Sequence, residues 1–165
     1  MMSEDYRIGS GYDVHAYAEN RAMVLCNIAI PSSIGLQGHS DADAPLHALC
    51  DALLGAAGLG DIGLHFPDND MTYKNIDSSI LLLRVMDLIQ QNGFVIQNVD
   101  LTIMAQIPKI APYREMMRCR LAELLSINPE KVNIKATTTE GLGFIGRKEG
   151  LAAHAVALLK KESII

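Results

Sequence analysis

Residues 38–63, GHSDADAPLHALCDALLGAAGLGDIG, constrain the fold more than any other stretch, because one short segment must build a helix while carrying two histidines and four acids. Asp43 is placed to cap that helix, and Pro45 falls in its first turn, where a missing N–H does no harm. Leu46, Leu49, Cys50, Leu53 and Ala57 recur at helical spacing and predict a buried stripe. His47, Asp51 and Leu54 follow at i, i+4 and i+7 on an adjoining face. The helix therefore serves the core and presents an imidazole and a carboxylate elsewhere. Its N-terminus also attracts anions, which suits a phosphate. A core helix with an incidental histidine and solvated acids has the same pattern, and the stretch alone does not separate the two.

A chain of 165 residues, 49% hydrophobic, is long enough for one domain with a proper core. It contains no run of about 18 apolar residues, so no membrane span is expected. MMSEDYRIGS lacks the basic flank and apolar centre of a signal peptide, and its acids argue against a transit peptide, so a cytoplasmic protein is expected. The net charge of −5 gives no long-range attraction for nucleic acid. An anionic ligand would need metal ions or a few placed cations. Cys26, Cys50 and Cys119 are odd in number and far apart, which fits neither a disulfide framework nor a thiolate zinc site. Cys50 lies on the apolar stripe and reads as a core thiol.

No repeat or linker divides the chain. Residues 7–16 read as a strand in which Ile8, Tyr12 and Val14 alternate with Gly9, Gly11, Asp13 and His15. Asp13 and His15 then share a face, about 6.5 Å apart. Met23–Cys26 and Ile28–Ile30 form a short hairpin ended by Pro31. Residues 58–73 form a long acidic loop that includes Phe66, Asp68 and Asp70, and loops of such length are often functional. Asp77 caps a second helix carrying Ile80, Leu83, Val85, Met86 and Ile89 and stopped by Gly93. Val99–Ala105 is a strand, Ile107–Pro112 a turn, and residues 112–126 a third helix with Met116, Leu121, Leu124 and Leu125 apolar. Val132–Thr138 is a strand, Glu140–Gly150 a glycine loop, and Leu151–Leu159 a strand buried on both faces. The expected class is α+β, a mixed β-sheet with helices packed on one side.

Asp13, His15 and His47 offer a carboxylate and two imidazoles from different elements, a set that suits Zn²⁺ with an open fourth position. Asp-x-His alone also fits an ordinary polar strand edge. His39 and Ser40 suit either a polar ligand or loop capping. His65 and His154 have no spaced partner. Thr137, Thr138 and Glu140, at a strand end, suit Mg²⁺ and phosphate oxygens, or simply a β-strand and turn. Lys109 is a phosphate-binding cation or a surface lysine. On the residues alone, the chain is an α+β domain compatible with a zinc enzyme acting on phosphates.

The strings RIGSGYDVHAY, GHSDADAPLHALCDALLGAAGLGDIG, FPDND, NVDLTIMAQIPK and VNIKATTTEGLGFIGRKEGLAAHAVALL, in this order, span Arg7 to Leu159. Together they resemble the 2-C-methyl-D-erythritol 2,4-cyclodiphosphate synthase family of non-mevalonate isoprenoid biosynthesis. The resemblance implies Zn²⁺ on Asp13, His15 and His47, with Asp51 orienting His47, and Mg²⁺ or Mn²⁺ on Glu140. It places His39 and Ser40 beside the substrate phosphates, Asp61 and Gly63 at the methylerythritol hydroxyls, and Phe66, Asp68 and Asp70 in the substrate loop. Ala105, Lys109, Ile110, Ala111, Ala136, Thr137 and Thr138 would form the cytidine diphosphate pocket, with Lys109, Thr138 and Glu140 serving catalysis. It implies a metal-dependent lyase that cyclises 4-diphosphocytidyl-2-C-methyl-D-erythritol 2-phosphate and releases CMP.

The same resemblance implies a single domain over 7–165 that assembles as a homotrimer with sites between subunits. Residues 1–6 match nothing and are expected to be a disordered extension. Phe144, Arg147 and Glu149 would line an axial cavity able to hold an isoprenoid diphosphate. Gly141 departs from the pattern, standing where many members carry lysine. Two competing functions would be a zinc phosphodiesterase with Asp41 or Asp43 as base, and a binding protein whose structural zinc is closed by Cys50.

Overall fold

The computed structural model describes residues 5–67 and 76–162. Its centre is a five-stranded sheet in the order β4-β1-β7-β5-β6. β1 spans Tyr6–Ala18, β4 Gly35–Leu36, β5 Phe94–Met104, β6 Val132–Thr137 and β7 Gly150–Lys161. Only the β5/β6 pair is parallel, so the sheet is mixed, as expected. β2 (Met23–Leu25) and β3 (Ile28–Ile30) form a separate hairpin. The helices are α1 (Ala44–Ala57), α2 (Ile62–His65), α3 (Ser78–Gln91), α4 (Arg114–Leu125) and α5 (Gly143–Gly146).

Register sets the inner face. Gly9, Gly11, Asp13 and His15 of β1 stand opposite Ala157, Ala155, Ala153 and Leu151 of β7. Those in turn neighbour Val99, Leu101 and Ile103 of β5, which face Val132, Ile134 and Ala136 of β6. Directly paired residues share a face, so the row Asp13–Ala153–Ile103–Ala136 runs across the sheet. α1 lies on this face so closely that a Cβ on Gly9 would be 2.0 Å from the Ala52 carbonyl oxygen, and one on Gly11 1.9 Å from that of Ala48. Gly11→Ala would force strand and helix backbones apart. We expect it to cost on the order of 3 kcal/mol or more and to lower the thermal midpoint by roughly 10 °C; an unchanged midpoint in a thermal melt would contradict this packing.

Several expectations need correction. α1 buries nearly its whole surface, Leu54 included, rather than a stripe. Its line of incomplete burial is His47, Asp51 and Gly55. On α3, Ile80 and Leu83 face outward while Leu81 and Leu82 enter the core, and on α4 Met117, not Met116, is buried. β5 begins at Phe94, before the expected Val99, and carries a bulge between Ile96 and Asn98. β7 is buried on its helix-facing side, but His154, Val156 and Leu158 on the other side are half-buried. The long loop contains α2, and its residues 68–75, with Asp68 and Asp70, lie outside the described residues. At the N-terminus, Tyr6 already belongs to β1, and the Asp5 carbonyl accepts the Lys161 N–H at 2.9 Å. β1 thus starts one residue before the expected strand boundary at Arg7.

Candidate metal centre

The strand alternation and the first turn of α1 converge at one end of the inner face. Asp43 caps α1, its carboxylate accepting the Leu46 N–H at 3.2 Å. This fixes where the helix starts and sets His47 above the C-terminal half of β1. There Asp13 Oδ2 lies 2.9 Å from His15 Nε2 and 3.1 Å from His47 Nδ1. The two imidazole nitrogens are 3.2 Å apart.

These three atoms are suited to a divalent ion. Ligands about 2.0–2.1 Å from a tetrahedral zinc lie about 3.3–3.4 Å from one another, close to the observed separations. The outer ring nitrogens are also tied down. His15 Nδ1 donates to the Gln37 carbonyl at 2.6 Å, and His47 Nε2 lies 2.9 Å from Ser78 Oγ and 3.3 Å from Ser40 Oγ. His15 therefore turns Nε2 inward as a lone-pair donor, and His47 presents Nδ1 to the same point. Asp13, His15 and His47 are the one group of three or more potential ligands that converges among the described residues, and Cys50, fully buried in the core, is not part of it.

Electrostatics agree with the geometry. Burial acts to raise the Asp13 carboxyl, but the adjacent His15 and His47 imidazoles outweigh it and hold the group well below the usual carboxylate range. Burial acts to lower His15, but Asp13 and the Gln37 carbonyl leave the imidazole raised. Asp51 does not orient His47: its carboxylate accepts the Ile62 N–H at 2.7 Å, tying α1 to α2, and burial raises it. The oxygens beside His47 Nε2 belong to Ser78 and Ser40. Sequence reasoning missed Ser78, whose one visible signal was a serine beside the Asp77 cap at the start of an apolar helix.

A model of the YgbB family matches residues 6–160. The chain belongs to the YgbB family. A relative from Azotobacter vinelandii, named 2-C-methyl-D-erythritol 2,4-cyclodiphosphate synthase, is 58% identical over 153 residues, covering 93% of this chain and 98% of that protein. Among solved structures, the bifunctional IspDF from Campylobacter jejuni aligns with a TM-score of 0.94 at 45% identity, over 98% of this chain and 44% of that one. The IspF of Plasmodium falciparum, in complex with CDP, aligns with a TM-score of 0.85 at 33% identity, over 98% of this chain and 99% of that one.

Other residues singled out in this YgbB chain fall into two groups. Near the metal centre, Ser40 is buried and His39 exposed on a loop clamped by Arg21, which donates to the Gly38 and Ser40 carbonyls at 2.9 and 2.7 Å. Asp61 caps α2, which contains Gly63 and is followed by the buried Phe66. The second group gathers at the end of the parallel pair. The Ala105 N–H donates to the Thr137 carbonyl at 3.0 Å, and Ala136 pairs with Ile103. Thr138 Oγ1 donates to Glu140 at 3.1 Å. The turn with buried Ile110 and exposed Lys109 and Ala111 is held by Tyr17, whose hydroxyl donates to the Ile107 carbonyl at 2.5 Å. Phe144 is half-buried, and exposed Arg147 pairs with Glu149 at 2.7 Å. His65 is structural, donating to the Leu59 carbonyl at 2.7 Å.

Proposed function

We infer that the chain is a 2-C-methyl-D-erythritol 2,4-cyclodiphosphate synthase, a lyase of non-mevalonate isoprenoid biosynthesis. The observation that carries this reading is an open three-ligand cluster in a chain that matches a synthase of that name almost end to end. The reaction is intramolecular. An oxygen of the 2-phosphate forms a bond to the β-phosphorus of the cytidine diphosphate group, the bond from that phosphorus to the bridging oxygen breaks, and CMP leaves with the electron pair. A phosphate monoester is already an anionic nucleophile, so the protein's task is to fold the substrate back and offset its charge.

Asp13, His15 and His47 would hold Zn²⁺, and Glu140 would hold Mg²⁺ or Mn²⁺. Bound cations supply charge neutralisation at the phosphate oxygens. Lys109 is the protein's own cation for the leaving phosphate, and Thr138 its hydroxyl donor. His39 and Ser40 orient the 2-phosphate side, and Asp61 and Gly63 the sugar hydroxyls. Ala105, Ile110, Ala111, Ala136 and Thr137 shape the nucleotide pocket, a reading supported by the CDP complex of the Plasmodium relative.

Two copies are needed to complete such a site. Asp13 and Ala136 occupy the same sheet row three strand spacings apart, roughly 14 Å, and Ala153 and Ile103 between them are completely buried. A substrate cannot cross that filled core, whereas a neighbouring subunit can present its pocket directly to this metal centre. A homotrimer, which the family resemblance implies, is compatible with this reading, and Phe144 and Arg147 are then the residues proposed to meet an isoprenoid diphosphate near its axis. Among the described residues no helix is long and apolar enough to cross a membrane; a cytoplasmic setting suits such an enzyme.

Neither of the bases nominated for the hydrolase alternative is free. Asp43 is fully buried and accepts three backbone N–H groups, and Asp41 is engaged by Ser78. Phosphorus NMR of the protein with substrate, Zn²⁺ and Mg²⁺ tests the reading: a cyclic diphosphate should appear in step with CMP. A linear diphosphate would indicate hydrolysis, and no turnover in zinc-loaded protein would indicate a binding role. Glu140→Gln is expected to retain zinc and to raise the Mg²⁺ concentration for half-maximal rate by about tenfold; an unchanged Mg²⁺ titration would remove Glu140 from that role.

A further inference from the structure

We propose that Ser78, oriented by Asp41, is a positioning residue that fixes the His47 tautomer and ring orientation for metal binding. The proposal rests on the metal reading of Asp13, His15 and His47 and extends it to a part of the chain that supplies no ligand. Ser78 opens α3, in a segment far from His47 in sequence, and its side chain is completely buried. Asp41 grips it twice: one carboxylate oxygen accepts the Ser78 backbone N–H at 3.1 Å, and the other accepts its hydroxyl proton in a short bond.

A carboxylate can only accept, so the single hydroxyl proton of Ser78 is committed to Asp41. The oxygen then has only lone pairs to offer His47 Nε2, 2.9 Å away. His47 must therefore carry its proton on Nε2, which leaves the Nδ1 lone pair facing Asp13 and His15. With no solvent access at Ser78, water cannot take over this role.

The two histidines are anchored by different means. His15 is held by a backbone carbonyl, that of Gln37, which no side-chain substitution removes. His47 depends on hydroxyl oxygens. Ser40 Oγ is the second, but it is farther away at 3.3 Å and already accepts the Ala42 N–H at 3.0 Å. Ser78 is thus the better-placed acceptor. The loop bearing Asp41 is itself fixed to the approach to α3, since the Asp41 N–H donates to the Ile76 carbonyl at 3.3 Å.

The test measures Zn²⁺ affinity by competition with a chromophoric chelator, together with thermal melts with and without Zn²⁺. Ser78→Ala is expected to weaken Zn²⁺ binding by about tenfold, within the usual range for loss of a group that supports a metal ligand. The metal-induced rise in melting midpoint should shrink accordingly. Asp41→Asn leaves Ser78 in place but loosens the direction of its hydroxyl, so a smaller loss of the same sign is expected, and it serves if Ser78→Ala does not fold. Wild-type Zn²⁺ affinity in the folded variants would overturn the proposal. So would a lowered metal-free midpoint with an undiminished metal-induced rise, which is the mark of a purely structural serine. Wild-type protein that binds no divalent ion would overturn the metal reading as well, so the two failures are distinguishable.

Discussion

His47→Ala is expected to lower turnover by about 10³-fold or more while the protein stays folded. The loss of a ligand from an open three-ligand site releases the ion, and charge stabilisation by a bound metal accounts for several kcal/mol of barrier, with each 1.4 kcal/mol or so worth tenfold. The fold should survive because the ring lies at the edge of the core, with 15% of its side chain exposed. Its removal forfeits the hydrogen bond to Ser78, worth about 1 kcal/mol, or several degrees in the thermal midpoint. Chelation of the wild type should reproduce the loss and added Zn²⁺ should reverse it, whereas Zn²⁺ at moderate excess should not restore the variant. Activity close to wild type in metal-analysed His47→Ala would remove His47 from the centre.

The same cluster sets a pH dependence. His15 is raised above its ordinary value once Asp13 and Gln37 overcome the effect of burial. Without metal, its pairing with Asp13 stabilises the fold fully below the unfolded histidine value near 6.5, and that contribution is lost as pH rises through the raised value. Metal binding needs the neutral imidazole, so Zn²⁺ affinity should rise over this same window. The depressed Asp13 carboxyl contributes above the ordinary carboxylate value and loses its contribution only in stronger acid.

The metal triad was legible because each ligand lies on an element whose period is visible in sequence. Strand alternation put Asp13 and His15 on one face, and the Asp43–Pro45 start signal placed His47 in the first turns of α1. What surrounds the triad was not legible in the same way. Asp51 looked like the partner of His47 because the two are four apart on a helix, but the ring of His47 is turned toward α3 and Asp51 toward α2. Which of two neighbours a ring faces depends on how distant helices dock, and local period carries no such information. The close helix–strand approach did leave a trace, in Gly9 and Gly11 spaced two apart and Ala48 and Ala52 four apart, small residues at matching periods on the two partners. The Asp13–His15 half of the site depends on that approach to meet His47.

Asp43→Ala should be the most destabilising of the polar substitutions near this site, because one carboxylate accepts three backbone N–H groups from two separate stretches of chain. It accepts the Cys26 N–H at 2.9 Å, the Asn27 N–H at 2.6 Å and the Leu46 N–H at 3.2 Å, so it holds the β2–β3 turn against the start of α1. Cys26 and Asn27 both have positive φ, 53° and 59°, a conformation that non-glycine residues adopt only with local support. Alanine would leave these donors without their acceptor, at about 1–3 kcal/mol for a buried one and about 1 kcal/mol for the lost cap. A total of about 3–4 kcal/mol corresponds to a midpoint lower by roughly 10 °C. Burial pushes the Asp43 carboxyl up to about 7, with the charge of Asp41 adding to it and the Asn27 and Cys26 N–H groups opposing it. A carboxyl raised in the folded state adds stability in acid, and that addition is lost as pH rises from the unfolded value near 3.9 through about 7. Asp43→Asn cannot titrate and keeps one acceptor, so it should lie between wild type and alanine at neutral pH. Urea denaturation at pH 5 and pH 8 checks both points: the advantage of wild type over Asp43→Asn should be larger at the lower pH. The opposite ordering would mean that the three N–H donors outweigh burial and keep Asp43 ionised throughout.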